Sequence, residues 1–184
     1  GKVRAAVGAS ELIRRFSPDC IVSTGVAGGI DACLKVTDVV ASQRLVYHDV
    51  WCGDGNEYGQ VQGFPASYEG CSSLLKHALS LNEAGMESRI HSGLVCTGDQ
   101  FITNRTELDT IKQRFPDGLA VDMESAAIAQ ICYLYNVPFL SFRIISDTPG
   151  VEDHASQYAD FWGTMAERSF LTIWTFLSTL PSNL

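Results

Sequence analysis

The sequence predicts a single α/β domain, and two observations support this fold class. Stretches with the period of amphipathic helices alternate with short apolar runs of strand length, which is typical of a sheet layered with helices. The chain has 184 residues, 46% hydrophobic and 18% charged, so it is long and apolar enough to bury one substantial core. It contains no repeat, low-complexity tract or linker, and residues 1–184 are therefore assigned to one domain.

The chain begins with a predicted helix and strand. Apolar residues recur at near-helical spacing over residues 3–16, and Pro18 stops that helix. Residues 20–24 are apolar and β-branched, which favours a buried strand. The glycine-rich segment 25–29 is expected to be the loop that follows this strand.

The middle of the chain predicts more extended structure and one long loop. A second strand is expected at 36–42, and extended structure continues over 44–50. Residues 51–70 are rich in glycine and aromatic residues and have no clear period, as in binding or interface loops. A short helix is expected at 72–81, followed by a strand at 90–96.

The last third continues the alternation. Asn104 and Glu107 resemble a capping box that opens a helix running to Phe115. A short strand at 119–122 leads into a helix from Glu124 to about Tyr135, which is apolar on most faces and expected to be buried. The last strand is expected at 139–145. A C-terminal helical face is then interpreted as core packing, and it consists of Tyr158, Phe161, Trp162, Met165, Ile173, Phe176 and Leu177.

Charge and hydropathy exclude several classes of partner. The net charge is −8 and no Lys/Arg run offsets it, which disfavours nucleic acid. No stretch approaches the roughly 18 apolar residues of a membrane span, and the first residues do not resemble a signal peptide. The sequence therefore predicts a cytoplasmic protein with no membrane partner.

The metal-binding residue types are scattered. The six cysteines include no C-x-x-C pair, and the four histidines have no ligand spacing, so no metal site is predicted. His48 and Asp49 are adjacent in an extended segment, where they would point to opposite faces. The cysteines are interpreted as small buried apolar residues in a reducing compartment.

Three polar segments end predicted strands, and each alone has an ordinary structural explanation. Thr24–Gly29 lacks the spacing of a dinucleotide fingerprint, so a tight turn explains it as well as a ligand loop. The acids of Val121–Ser125 can complement a helix dipole, or Glu124 can point into a pocket and hold a vicinal diol. Asp147, at the end of Arg143–Asp147, can cap a helix or form an ion pair, although ligands of α/β sheets bind at the carboxyl ends of strands.

The order of these segments resembles the bacterial 5′-methylthioadenosine/S-adenosylhomocysteine nucleosidases of the nucleoside phosphorylase superfamily. The chain has TGVAGG, TGDQFI, VDMES and RIISD, where that family has TGxAGG, SGDxFI, VEMEA and R-x-x-SD. The likeness includes Tyr47–Asp49 and Glu57–Gln60 and extends nearly end to end. It implies a three-layer α/β/α sandwich with a central mixed sheet, and hydrolysis of the N-glycosidic bond with release of adenine. It implies no cofactor.

The resemblance also implies which residues handle the adenine. Asp147 matches the aspartate that protonates N7 of the purine, and Ser146 would steady it. To donate, Asp147 must be buried enough to hold a proton near neutral pH. Phe101 matches the aromatic residue that stacks on adenine, and Ile102 matches the residue whose backbone reads the purine edge.

Other matches concern the ribose. Met123 and Glu124 match the pair that holds the ribose hydroxyls. The charge of Glu124 would also stabilise the developing oxocarbenium ion more than the ground state. Ala27 and Gly28 lie in the glycine-rich segment, whose backbone N–H groups can approach the ribose.

Two departures from the family pattern bear directly on the chemistry. Val26 stands where the family has serine, so one polar contact near the sugar or the attacking water is lost. The family also begins about fifty residues earlier, with first strands and a water-activating glutamate to which nothing here aligns. Glu11 is not a replacement. The chain is therefore expected to be N-terminally shortened, with an exposed sheet edge. Because family members are homodimers in which a neighbour closes the pocket, we expect a homodimer with residues 51–70, including Tyr58 and Phe64, as the lid.

Two other functions stay open. A purine nucleoside phosphorylase needs positive side chains around phosphate, and Arg143 is the only arginine near the motifs, so hydrolysis is favoured. A catalytically impaired nucleoside-binding remnant would bind adenine or methylthioadenosine without releasing adenine. The unaligned glutamate makes that remnant the main competing interpretation.

Overall fold

The computed structural model describes residues 1–84, 88–148, 154–161, 163 and 166–181. Helix α1 (Lys2–Phe16) is followed by strands β1 (Ile21–Gly29), β2 (Val39–Tyr47) and β3 (Tyr68–Glu69). Helix α2 (Ser72–Ser80) and a 3-10 turn (Leu81–Ala84) lead to β4 (Ile90–Thr97), α3 (Arg105–Arg114) and β5 (Gly118–Asp122). The chain continues through α4 (Ser125–Tyr135), β6 (Phe139–Asp147), α5 (His154–Asp160) and α6 (Ala166–Ser178).

The six strands form one mixed sheet in the order β3-β2-β4-β5-β1-β6. The pairs β2/β4, β4/β5 and β1/β6 are parallel, whereas β1/β5 and β2/β3 are antiparallel. The sheet also closes on itself, because β2 pairs with β6 from Val39 opposite Ile144 to Ala41 opposite Phe142. Five strands thus form a ring, and β3 pairs with β2 outside it.

Helices cover the sheet from more than one side. Helices α1 and α4 pack on each other and share an apolar cluster with several strands. In a second cluster, Phe142 of β6 stacks on Phe176 of α6 with ring centroids 4.7 Å apart, and Leu74 of α2 packs beside them. Helix α3 covers a third cluster with β4 and β5. The predicted α/β class, with a central mixed sheet between helices, is confirmed.

The glycine-rich segment 25–29 belongs to strand β1, so the prediction of a loop there was wrong. Gly28 is the register partner of Asp147 on β6 and of Val121 on β5. The backbone of this segment is therefore paired with a strand on each side. Glycine has a weak strand propensity, which hides such a strand from sequence reasoning.

Two other segments differ from the prediction. Residues 36–42 and 44–50 contribute to one strand, β2, whose ladder with β4 shifts register between Ser42 and Arg44. Helix α4 is not buried on most faces. Its buried positions, Ser125, Ala126, Ala127, Ala129 and Cys132, are all small, and its last turn exposes Tyr133, Leu134 and Tyr135.

The C-terminal apolar face is divided between two helices. Phe161 and Phe176 are buried as predicted, whereas Leu177 is exposed. Trp162 and Met165 lie outside the described residues. Among the described helices, none has both the length and the apolar character that a bilayer crossing requires.

The interpretation of the cysteines holds only in part. Cys96 and Cys132 are buried, and burial raises the pKa of the Cys132 thiol to about 12. Cys33 and Cys52 are exposed, so they are not core residues.

Candidate active site

The structure brings all eight predicted site residues to one cavity of about 220 Å³. These residues are four pairs of sequence neighbours, and each pair comes from a different segment of the chain. The segments are the end of β1, the loop after β4, the connection from β5 to α4, and the end of β6. The lining comprises Val26, Ala27, Gly28, Gln100, Phe101, Ile102, Val121, Asp122, Met123, Glu124, Ser146, Asp147 and Tyr158.

The strand register explains why these segments meet. Gly28 pairs with both Val121 and Asp147, so the ends of β5 and β6 converge on the end of β1. Thr97 pairs with Asp122 in the parallel β4/β5 ladder, which places the loop after β4 beside the end of β5. Ligand sites of α/β sheets form at such carboxyl ends.

Asp147 and Ser146 form a buried polar pair at the cavity. Asp147 is only 3% exposed, and the Ser146 hydroxyl donates a hydrogen bond to its Oδ1 at 2.5 Å. The same hydroxyl lies 3.4 Å from the carbonyl oxygen of Ala27 on β1. These contacts fix the orientation of the carboxyl group.

The two acids at the start of α4 have different surroundings. Asp122 is buried, and its carboxylate accepts the backbone N–H of Ser125, the first residue of α4, at 3.2 Å. The Glu124 side chain makes no capping hydrogen bond within the described part of α4. It lines the cavity, and its Oε1 lies 2.5 Å from the amino group of Gly1. Of the two acids, Glu124 is the one with a partly exposed side chain, at 39% against 1% for Asp122.

A buried ion pair lies behind the cavity, and sequence reasoning did not predict it. Arg143 Nε lies 2.8 Å from Asp122 Oδ2, and the two side chains are 5% and 1% exposed. A signal was available, because Arg143 is a charged residue between the apolar residues Phe142 and Ile144 of a strand. A charge buried in such a strand requires an opposite charge nearby.

The aromatic residues of the site are on its open side. Phe101 is 57% exposed and lines the cavity, so it is not a core aromatic residue. Its ring meets that of Tyr158 edge to face, with centroids 5.7 Å apart. Tyr158, which the sequence analysis placed in the core, thus belongs to the cavity wall. Ile102 is buried in the cluster under α3 and reaches the cavity as well.

The loop that carries Phe101 is fixed by charged contacts. Asp49 accepts the backbone N–H of Asp99 at 2.9 Å and the Lys2 ammonium at 2.8 Å. Burial alone would raise the pKa of Asp49, but these hydrogen bonds and the Lys2 charge bring it below its ordinary value. Asp49 therefore stays ionised at neutral pH and anchors the loop.

The cavity offers little to an anion. Among the described residues that line it, none is lysine or arginine. The nearby Arg143 guanidinium is occupied, since Nη1 donates to the carbonyl oxygen of Thr24 at 3.0 Å and Nη2 to Ser23 Oγ at 3.1 Å. The described residues also include no cluster of three or more His, Cys, Asp or Glu that could hold a metal ion.

Comparison with known proteins gives one consistent result. The sequence profile of the phosphorylase superfamily matches residues 1–178. The chain is 44% identical over 157 residues to a 5′-methylthioadenosine/S-adenosylhomocysteine nucleosidase of Chromohalobacter salexigens, covering 85% of this chain and 67% of that protein. It is 39% identical over 181 residues to the nucleosidase of the same name from a Geobacillus species, covering 98% and 78%.

Solved structures agree with the sequence matches. The nucleosidase of Neisseria meningitidis in complex with methylthio-immucillin-A superposes with a TM-score of 0.91 at 34% identity, covering 98% of this chain and 78% of that one. The nucleosidase of Colwellia psychrerythraea in complex with adenine also gives 0.91, at 35% identity, covering 100% and 76%.

Proposed function

Since this chain belongs to the 5′-methylthioadenosine/S-adenosylhomocysteine nucleosidase family of the phosphorylase superfamily, we propose that it hydrolyses the N-glycosidic bond of these nucleosides and releases adenine. The observation that carries the proposal is the meeting of Asp147, Glu124 and Phe101 at one cavity. A proton donor, a diol acceptor and a stacking ring are groups that bind the nucleoside and expel adenine in this reaction.

On the adenine side, Asp147 protonates N7 of the purine as the glycosidic bond breaks. The base then leaves as neutral adenine rather than as an anion. The hydrogen bond from Ser146 and the burial of the carboxyl group support this role, because both keep the donor in one orientation. Phe101 stacks on the purine ring, and the backbone of Ile102 reads its edge.

On the ribose side, Glu124 accepts hydrogen bonds from the vicinal hydroxyls and Met123 covers the apolar face of the sugar. A carboxylate has two oxygens and can hold a diol with both. Its negative charge lies beside the positive charge that grows on the ribosyl ring, so it favours the transition state over the ground state. The backbone of Ala27 and Gly28 contributes to the floor of this subsite.

The surroundings of Arg143 favour hydrolysis over phosphorolysis. A phosphate dianion needs free cationic donors, and the guanidinium is committed to Asp122 and strand β1. Water, being uncharged, needs no such donor to enter the cavity. The same argument distinguishes this chain from a purine nucleoside phosphorylase.

Product analysis tests the proposal. The purified chain is incubated with methylthioadenosine at increasing phosphate concentration, and free adenine and the sugar product are measured by chromatography. We expect adenine and 5-methylthioribose at a rate independent of phosphate. A sugar 1-phosphate would indicate a phosphorylase, and adenine binding without release would indicate a nucleoside-binding remnant.

The proposal extends to the setting of the enzyme. We place residues 1–184 in one domain of a cytoplasmic homodimer that acts in methionine salvage and nucleoside catabolism. An exposed aromatic residue supports the dimer: Trp51, in the segment 51–70, is 55% exposed and stacks on Tyr58. Tyr58 and Phe64 pack within their own chain, against Phe115 and Tyr133. Trp51 is therefore the aromatic side chain of this segment best placed to reach a neighbour.

A further inference from the structure

A saturated hydrogen-bond network surrounds the ion pair behind the cavity. The Ser125 hydroxyl donates to Asp122 Oδ2, accepts from Arg143 Nε at 3.0 Å, and lies 2.6 Å from the Ser141 hydroxyl. A serine hydroxyl has one hydrogen and two lone pairs, so these contacts use its full capacity. Thr97 donates to Asp122 Oδ1 at 2.6 Å, and all five side chains are buried.

The network connects every segment that delivers a site residue. Asp122 directly precedes Met123 and Glu124, and Arg143 lies on β6 three residues before Ser146. The network also reaches the other segments. Thr97, at the end of β4, binds Asp122 and accepts the backbone N–H of Ala126 in α4. Arg143 binds Ser23 and Thr24 on β1.

Asp122 and Ser125 are also the two positions at which VDMES differs from the VEMEA pattern. In the structure the two side chains are in direct contact. A glutamate at 122 is longer by one methylene, and an alanine at 125 is smaller by one hydroxyl, so the double exchange nearly conserves volume. With the shorter aspartate, the Ser125 hydroxyl fills the remaining space and bridges the carboxylate to Arg143 and Ser141.

We infer that Ser125 and Asp122 act as one positioning unit that holds Met123 and Glu124 against the ribose. Ser125 does not line the cavity, and Asp122, which does, has its carboxylate bound to Thr97, Ser125 and Arg143. Removing the Ser125 hydroxyl leaves the Ser141 hydroxyl without this partner and leaves Arg143 Nε with Asp122 alone. Lengthening Asp122 alone pushes a carboxylate into the space of that hydroxyl. Both changes move the peptide that carries Glu124. Adenine, which has no ribose, does not sense this movement.

The experiment compares a constant for a ligand that contains the ribose with a constant for adenine, which lacks it. It rests on the proposed function. KM for methylthioadenosine and the inhibition constant of adenine are measured for Ser125→Ala, Asp122→Glu and the double variant. Each single variant should raise KM about tenfold and leave the adenine constant within about twofold. The double variant should return KM to within about threefold of the original value, since coupled neighbours are not additive.

Ser42→Ala is the matched control. It also removes a buried serine hydroxyl, which accepts the Ser141 N–H at 2.9 Å, but it does not touch Asp122 or Arg143. It should lower thermal stability and leave both constants unchanged. Single variants that shift both constants together, or a double variant worse than either, would overturn the inference. If the unaltered chain releases no adenine, the proposed function fails instead, and adenine binding measured by calorimetry in the variants still tests whether that subsite is unaffected.

Discussion

His48 is an unusual residue beside the site. It is buried directly after β2, and its Nε2 has no hydrogen-bond partner among the described residues. The ring occupies space that Gly98 leaves free, because a Cβ at position 98 would lie 2.3 Å from Nε2. Burial lowers the pKa of His48 below its ordinary value of 6.5, and the opposing effect of Asp49 is smaller.

This pKa makes the stability of the chain depend on pH. The unfolded chain binds a proton at His48 more readily than the folded chain does, so the free energy of unfolding falls as pH drops below about 6.5. Urea denaturation between pH 7.5 and 5 should show this loss in the original chain and a smaller loss in His48→Gln. His91→Gln, at a half-buried histidine of β4, controls for the removal of a histidine. Equal pH dependence in the original chain and His48→Gln would refute the assignment.

Phe101 contributes to ligand binding and little to stability. Since its ring is mostly exposed and lines the cavity, Phe101→Ala should weaken adenine binding by about 1–3 kcal/mol, the usual value of stacking a base on an aromatic ring. The free energy of unfolding should change by less than about 0.5 kcal/mol. Calorimetric titration and urea denaturation measure both. Phe170→Ala, at a similarly exposed position on α6, should leave adenine binding intact.

For single residues, the family resemblance identified the site residues. The chemistry of the residue types alone did not identify them. Asp147 and Glu124 each had a common structural explanation in the sequence, and only the order of the four motifs favoured a site. Tyr158 was missed because its spacing fits a helical core face equally well. The partnership of Asp122 with Arg143 was missed because it joins different strands, and one sequence contains no signal for such a contact beyond an arginine in an apolar strand.

Among the elements, α3 has a defined N-terminal cap. Asn104 accepts the backbone N–H of Glu107 at 3.0 Å, which satisfies one of the free donors of the first turn. Asn104→Ala should therefore lower the free energy of unfolding by about 1 kcal/mol in urea denaturation. Asn104→Asp keeps an acceptor at the cap and should lose much less. An alanine variant as stable as the original chain would show that this cap is not needed.

Element positions followed from the sequence where the pattern was local. The cap at Asn104 and the helix ended by Pro18 were predicted close to their observed bounds. The prediction failed at residues 25–29, because a glycine-rich strand is specified by its two neighbours and not by its own side chains. The prediction that α4 is buried on most faces failed for the opposite reason. Its composition is apolar throughout, whereas only its small residues face the packed interior.

For the whole molecule, the closed sheet is what the sequence does not reveal. The β2/β6 pairing joins residues that are far apart in the chain, and no local pattern encodes such a contact. The α/β class was predictable, because it requires only the alternation of helices and strands. The convergence of four segments on one cavity depends on the register, and it was expected only through the resemblance.

The proposed homodimer is a prediction about the assembled molecule. Light scattering coupled to gel filtration should give about twice the 20.0 kDa chain mass. Trp51→Ser should shift the protein toward the monomer and lower the rate of adenine release, because segment 51–70 is the proposed lid. Trp174→Ser on α6 is the matched control, with a residue 59% exposed against 55% for Trp51. A monomer at assay concentration, or dissociation by the control alone, would contradict this prediction.

The most direct test of the account is the rate of adenine release from methylthioadenosine in a single turnover, compared between the original chain and Asp147→Asn. The asparagine has nearly the same shape but no proton to give, so the rate should fall by about 10²–10⁴-fold. Asp31→Asn, which alters an acid paired with Lys112 outside the cavity, should keep the original rate. An Asp147→Asn chain that releases adenine as fast as the original would show that this carboxyl group does not protonate the leaving base.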